Sequence, residues 1–145
     1  MQQSRFVFVA FPGAGELAEV IWILVSPNNR PLGRSATRHE SYTKCYASLL
    51  YLRTQPDRVT PTVAVEQHGQ WSWQITLDGI PVAVSSRSYL RIRECNYNLE
   101  RFLETVPEAA IVPGTRRARG ERRADVGRPV EPDGGPDQQL LSGRW

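Results

Sequence analysis

Two stretches of this 145-residue chain carry the same succession of residues about 50 positions apart. Laying Pro31 on Pro81 also superposes Ser35 on Ser85, Cys45 on Cys95 and Leu49 on Leu99. Trp22 meets Trp73 with a shift of 51, and the extra residue falls in a turn, where length varies most easily. Self-similarity at this period means two copies of one supersecondary unit. Domains shorter than about 60 residues bury too little surface to be robust alone. The two units are therefore expected to share a single core.

The downstream copy is the easier one to read. Trp71, Trp73, Ile75 and Leu77 alternate with Ser72, Gln74 and Thr76, the pattern of a half-buried strand. Asp78-Gly79 follows, a pair that accepts positive φ at both central positions of a two-residue hairpin. Ile80, Val82 and Val84 then alternate with Pro81 and Ala83 as the return strand. From Arg91 the period becomes helical, with Ile92, Cys95, Leu99, Phe102, Leu103 and Val106 on one stripe and Ser88 nearby as a cap. Upstream, "VIWILV", "SPNNRP" and "LGRSA" repeat strand, turn and strand, and Tyr42, Cys45, Leu49 and Leu52 mark a helix face. "RFVFVAF" and "TVAVE" add one strand ahead of each copy, and "AAIVP" could supply one more.

The expected fold is α+β: tandem β-β-β-α repeats forming one antiparallel sheet with two helices packed on one face. Repeat one spans about 5–55 and repeat two about 60–112. Joining the units edge to edge removes two exposed sheet edges.

The aromatic strand "WSWQI", the turn at "DG", the strand ending in "VSSRSY" and the helix with Cys and Leu in "RECNYNL" resemble the YegP-like family of bacterial proteins. That family is a domain of unknown function that usually occurs as a tandem pair. The resemblance covers about residues 5–112, and departs from the pattern in the first copy, where His39 stands at the position of Tyr89 and "NNRP" replaces an Asn-Gly or Asp-Gly turn. It implies the tandem β-β-β-α sheet with its helices, and brings no established activity and no catalytic residues.

Charge is unevenly placed. Residues 1–112 hold eleven Arg and Lys against ten Asp and Glu, so this body is nearly neutral. "PGTRRARGERR" then holds five Arg against one Glu, and residues 124–145 turn acidic. A sign change along a Pro/Gly-rich stretch is the signature of a solvated polyampholyte, so residues 113–145 are expected to be a disordered tail. Two cysteines are too few for a disulfide framework and lack the paired spacing of a zinc site, which suits a reduced, cytoplasmic setting. No apolar run is long enough for an export signal or a membrane span.

Candidate sites are few. Gly13, Gly15 and Ala18 fit G-x-G-x-x-A after an apolar run, but "IWILV" arrives as a strand where a dinucleotide fingerprint needs a helix. The stretch reads as a glycine-rich hairpin loop, with a nucleotide or small-molecule site there as an alternative. His39 and His68 lack a metal-ligating neighbour at helix or strand spacing and read as surface loop residues. Cys45 and Cys95 lie on the apolar helix stripes, where a thiolate is disfavoured, and read as core. Ser85, Ser86 and Ser88 lack the flanking glycines of a nucleophile elbow and read as partners of backbone donors. Glu94, Glu100, Glu104 and Glu108, with Arg91, Arg93 and Arg101, read as a solvated helix face. Trp71 and Trp73 share a face with Ile75 and Leu77, which places them under the helices.

Arg116, Arg117, Arg119, Arg122 and Arg123 could neutralise phosphates and give weak, salt-sensitive nucleic-acid contact. The overall reading is a non-enzymatic binding or interaction module with no cofactor and no metal. Its partner is unidentified, and a protein at a sheet edge or face is one candidate.

Overall fold

The computed structural model describes residues 3–12 and 18–118. The elements are β1 (Arg5–Pro12), β2 (Ala18–Val25), β3 (Pro31–Ser35), α1 (Tyr42–Thr54), β4 (Val59–Val65), β5 (Trp71–Leu77), β6 (Ile80–Ser85), α2 (Ile92–Thr105) and β7 (Ala110–Arg117). The strands form one seven-stranded sheet in the order β4-β5-β6-β3-β2-β1-β7. Each succession of three strands is an antiparallel meander, and the two meanders meet where β3 pairs with β6, Arg34 opposite Val84.

The sheet is mixed and not purely antiparallel, because β7 runs parallel to β1. A hairpin turn forces antiparallel pairing, but no such turn joins β1 to β7. The direction of β7 follows from α2 ending beside the start of β1, where the Ala110 N–H donates to the Ser4 carbonyl at 3.1 Å. The "AAIVP" strand also runs further than expected. Residues 113–117 belong to the sheet, so the expected boundary at 112 is not where the ordered chain stops. The tail from residue 119 onward lies outside the described residues.

Both helices pack against one cluster that spans the two meanders. Cys45, Leu49 and Leu52 of α1 and Cys95, Leu99 and Phe102 of α2 join Phe6, Phe8, Trp22, Leu24, Trp73 and Ile75 from the sheet. Phe102 binds the halves together, with its ring centroid 6.3 Å from Trp22 and 4.8 Å from Trp73. It can lie there because β3 carries Gly33 beneath it; a Cβ at that position would come within 2.7 Å of both Phe102 and Trp73. Trp71 packs half-buried against the same cluster, as its register with Trp73 requires.

Strand phase departs from expectation in two places. In β6 the buried residues are Ala83 and Ser85, with Ile80 exposed and Val82 and Val84 half-buried. Opposite Ile75 the space is already filled by the large rings, so only a methyl fits. In β1 and β2 both faces are buried. Val9, Phe11 and Ile21 form a second cluster with Ala118 on the side away from the helices, and the Arg38 guanidinium sits 3.8 Å above the Phe11 ring. The same side of β4 and β5 is polar, with Thr60, Thr62 and Gln74 exposed.

Local chemistry sets the ends. Asp78 and Gly79 take φ of 55° and 81°, the two positive values that the β5-β6 hairpin needs. Ser41 caps α1, accepting from the Lys44 N–H at 3.1 Å. Ser88 does not cap α2: Arg91 occupies the cap position without a side-chain bond, and the Ser88 hydroxyl donates to Glu66 at 2.6 Å. Ile92, expected on the buried stripe, is 45% exposed because it precedes the first turn that reaches the core.

Candidate anion-binding cleft

A cleft of ≈ 530 Å³ lies along α2 where the helix crosses the junction of the two meanders. It is lined by Leu32 of β3, by Arg87 and Tyr89 from the β6-α2 connection, and by Arg93, Glu94, Tyr97, Asn98 and Arg101 of α2. Arg93, Tyr97 and Arg101 are spaced four residues apart, one stripe with steps of about 6 Å along the helix axis. Asn98 stands one residue round, on the edge of the buried face.

Tyr89 is held by the backbone. Its N–H and C=O both bond to Trp71, each at 2.7 Å, which extends the sheet by one bridge and aims the connection across α2. Burial pushes the Tyr89 hydroxyl above its ordinary pKa, partly offset by Arg87, whose guanidinium lies 4.9 Å from the ring centroid. Arg101 sits 6.0 Å from the Tyr97 ring. Each tyrosine therefore carries a cation at its face.

Asn98 decides the polarity of the cleft floor. Its Oδ1 accepts from the Trp73 indole N–H at 2.5 Å, which commits the oxygen and leaves the amide NH₂ as the group available to the cleft. The residue is only 8% exposed, and among the described residues that nitrogen has no hydrogen-bond partner. Among the described residues, too, none of Arg87, Arg93 and Arg101 is in a salt bridge. With Glu94 the one acid in the lining, the cleft offers donors and positive charge on flat aromatic walls.

Sequence reading placed Arg93, Glu94 and Arg101 on a solvated face. Arg93 and Glu94 are exposed and Arg101 is half-buried, and on that face they line a cleft with Tyr89 and Tyr97, which belong to different segments. The Arg-Tyr-Arg stripe at four-residue spacing was the available signal. Asn98 was missed because a polar residue beside the apolar stripe reads as surface, whereas here the indole N–H of Trp73 needed a buried acceptor.

The other candidates fall elsewhere. Arg116 and Arg117 are exposed on β7, opposite Val9 and Ala10 of β1, and Arg119, Arg122 and Arg123 lie outside the described residues. Gly13 and Gly15 also lie outside them; Ala18, the third position of the fingerprint, begins the antiparallel strand β2 where a dinucleotide site requires a helix. His68 is exposed. His39 is half-buried and not a free surface loop residue: it bridges Val20 through two backbone bonds of 2.8 Å, and its Nε2 lies 3.2 Å from the Ser48 hydroxyl. Burial lowers its pKa.

Cys45 and Cys95 are free and fully buried, and burial pushes their thiols up to about 12 and about 11. Ser85 accepts from the Trp73 N–H at 3.3 Å, as expected of a backbone partner. Among the described residues no cluster of His, Cys, Asp and Glu is arranged to hold a metal ion, and no helix is long and apolar enough to cross a membrane.

This architecture is the YegP-like fold. The solution structure of YegP from E. coli, a protein of unknown function, superposes with a TM-score of 0.60 at 10% identity, covering 79% of this chain and 96% of that one. A UPF0339 protein from Shewanella oneidensis superposes with a TM-score of 0.59, also at 10% identity, over 76% of this chain and 92% of that one. No protein-family model and no curated protein matches the sequence.

Proposed function

We propose that the chain is a non-enzymatic binding module of the cytoplasm whose ligand surface is the cleft along α2, and that its ligand is an anion. The observation that carries this reading is the convergence on one concavity of the committed Asn98 amide and three guanidiniums that have no carboxylate partner among the described residues. A concavity that gathers positive charge attracts an anion more strongly than the same charges spread over a convex face. Both sheet edges carry a proline, Pro61 in β4 and Pro113 in β7, a device that discourages strand addition. That weighs against a sheet edge as the partner surface and in favour of the cleft.

The module is a tandem repeat in this reading. Support comes from matched contacts: Ser35 and Ser85 each accept from the N–H of a tryptophan, Trp22 and Trp73, at 3.3 Å, and the bridges Val20–His39 and Trp71–Tyr89 stand at equivalent places. The test is a titration of the isotope-labelled protein with inorganic phosphate. Amide shifts should concentrate in residues 87–101 and vanish in an Arg93→Ser/Arg101→Ser double variant; shifts spread evenly over the surface would defeat the proposal.

A second reading keeps nucleic acid as the partner through the Arg-rich segment, because Arg116 and Arg117 are exposed on an edge strand. It requires binding that falls steeply with salt and is lost in an Arg116→Ser/Arg117→Ser double variant.

A further inference from the structure

Building on the anion-cleft reading, we infer that the preferred ligand is a phosphomonoester carried on a flat ring system, of the size and chemistry of a nucleoside monophosphate. The polar groups of the cleft other than Glu94 are complementary to phosphate. Guanidinium groups match phosphate oxygens in a planar, two-pronged geometry, and the Asn98 NH₂ adds a donor without a competing acceptor, its oxygen being held by Trp73. A ligand with its own hydrogen-bond donors, such as an amine or a sugar alone, would leave these groups unmatched.

The ring requirement comes from the tyrosines. Tyr97 is 63% exposed, yet it stands between Arg93 and Arg101 on the helix stripe. An exposed aromatic flanked by cations is a stacking platform for an electron-rich ring, with the cations placed one helix step to either side for a charged substituent. The half-buried Tyr89, backed by Arg87, forms a second aromatic wall. The volume of ≈ 530 Å³ lies in the range of small-molecule sites and suits one nucleotide. A polymer would need cations continuing beyond the cleft, whereas the exposed pair Arg116 and Arg117 sits on β7, at the far edge of the sheet from β4.

The test is calorimetric titration of the full-length protein with adenosine 5′-monophosphate, inorganic phosphate, adenosine and a single-stranded oligonucleotide, at one fixed salt concentration. The monophosphate should bind at least roughly ten-fold more tightly than phosphate or adenosine, since ring and anion contacts act together. Tyr97→Leu should weaken the monophosphate by roughly 5- to 150-fold, the range that stacking on an aromatic supports, and leave phosphate unchanged. Asn98→Asp keeps an acceptor for Trp73 and puts a negative charge on the cleft floor, so it should abolish binding of both. Because Tyr97 is exposed, its variant reports on the cleft even where the buried Asn98 variant unfolds. Equal affinity for phosphate and monophosphate would overturn the ring requirement and leave the anion reading standing. Binding of neither would remove both, and binding of the oligonucleotide alone would overturn the inference in favour of a polymer.

Discussion

The same place in the two halves of this molecule carries opposite chemistry. In the second half the helix edge beside the connection presents Arg87, Tyr89, Arg93, Asn98 and Arg101. Fifty residues earlier the equivalent positions are Thr37, His39, Thr43, Ser48 and Tyr51. There His39 and Ser48 close on each other at 3.2 Å, and the nearby cations Arg38 and Lys44 are paired with Glu19 at 3.6 Å and Glu40 at 2.7 Å. The backbone frames match, down to the serine under each tryptophan and the bridge from each connection to its strand. One frame therefore holds a self-satisfied junction and an open one. Function in such a protein is expected where the two copies diverge, because their shared residues answer to packing.

The comparison breaks most decisively if the halves turn out to be independent. Residues 56–112 expressed alone lack Trp22 and β3, and should be unstable or dimerise; a folded monomeric fragment seen by ultracentrifugation and NMR would show that no joint core exists. In the full chain, Phe102→Ala should cost about 3–5 kcal/mol, the range for removing a large buried aromatic, and denaturant unfolding should stay a single transition. Two separate transitions would mean that Phe102 does not couple the halves.

Gly33→Ala should cost about 1–3 kcal/mol by overpacking against Phe102 and Trp73, although its counterpart Ala83 already carries a methyl. An unchanged urea midpoint would show that the rings can move aside.

A subtler asymmetry is in pH dependence. Burial holds His39 below the ordinary imidazole range, so between its folded pKa and about 6.5 the unfolded chain binds the extra proton. Stability should be complete above about pH 6.5 and fall as the pH drops toward the folded pKa. Tyr89, at the equivalent place, does not titrate there. A His39→Gln variant should flatten the difference in urea midpoint between pH 5 and pH 7.5 relative to the unmodified chain; an identical slope in both proteins would assign the effect elsewhere. The smallest expected effect is that of Asp78→Asn, which removes exposed contacts to Arg58 and Tyr51 while keeping a residue suited to positive φ. Its melting temperature at high salt should match that of the unmodified chain, as for most surface ion pairs.

Much of the frame could be read from residue patterns. The period-2 run from Trp71 to Leu77, the Asp78-Gly79 turn and the helical stripe from Cys95 to Val106 each follow from local rules, and the 50-residue shift joined them into one core. The strand "AAIVP" could be read, but its parallel pairing with β1 could not, because pairing over more than 100 residues leaves no local trace. Nor could the two-sided burial of β1 and β2, although their unbroken apolar runs contained the clue. The cleft was hidden for a different reason: its arginines and Tyr97 read individually as ordinary surface residues, and only their convergence gives them a role.

The sequence by itself determined most of the strands, both helices and much of the core beneath the helices, because periodicity and turn chemistry act over a few residues and the apolar surface must be buried somewhere. Only the tertiary structure decided that Asn98 turns its oxygen to Trp73, that Phe102 spans both tryptophans over Gly33, and that three arginines and two tyrosines share one cleft. These outcomes depend on distances between segments far apart in the chain, and on which donors remain unpaired once packing is complete.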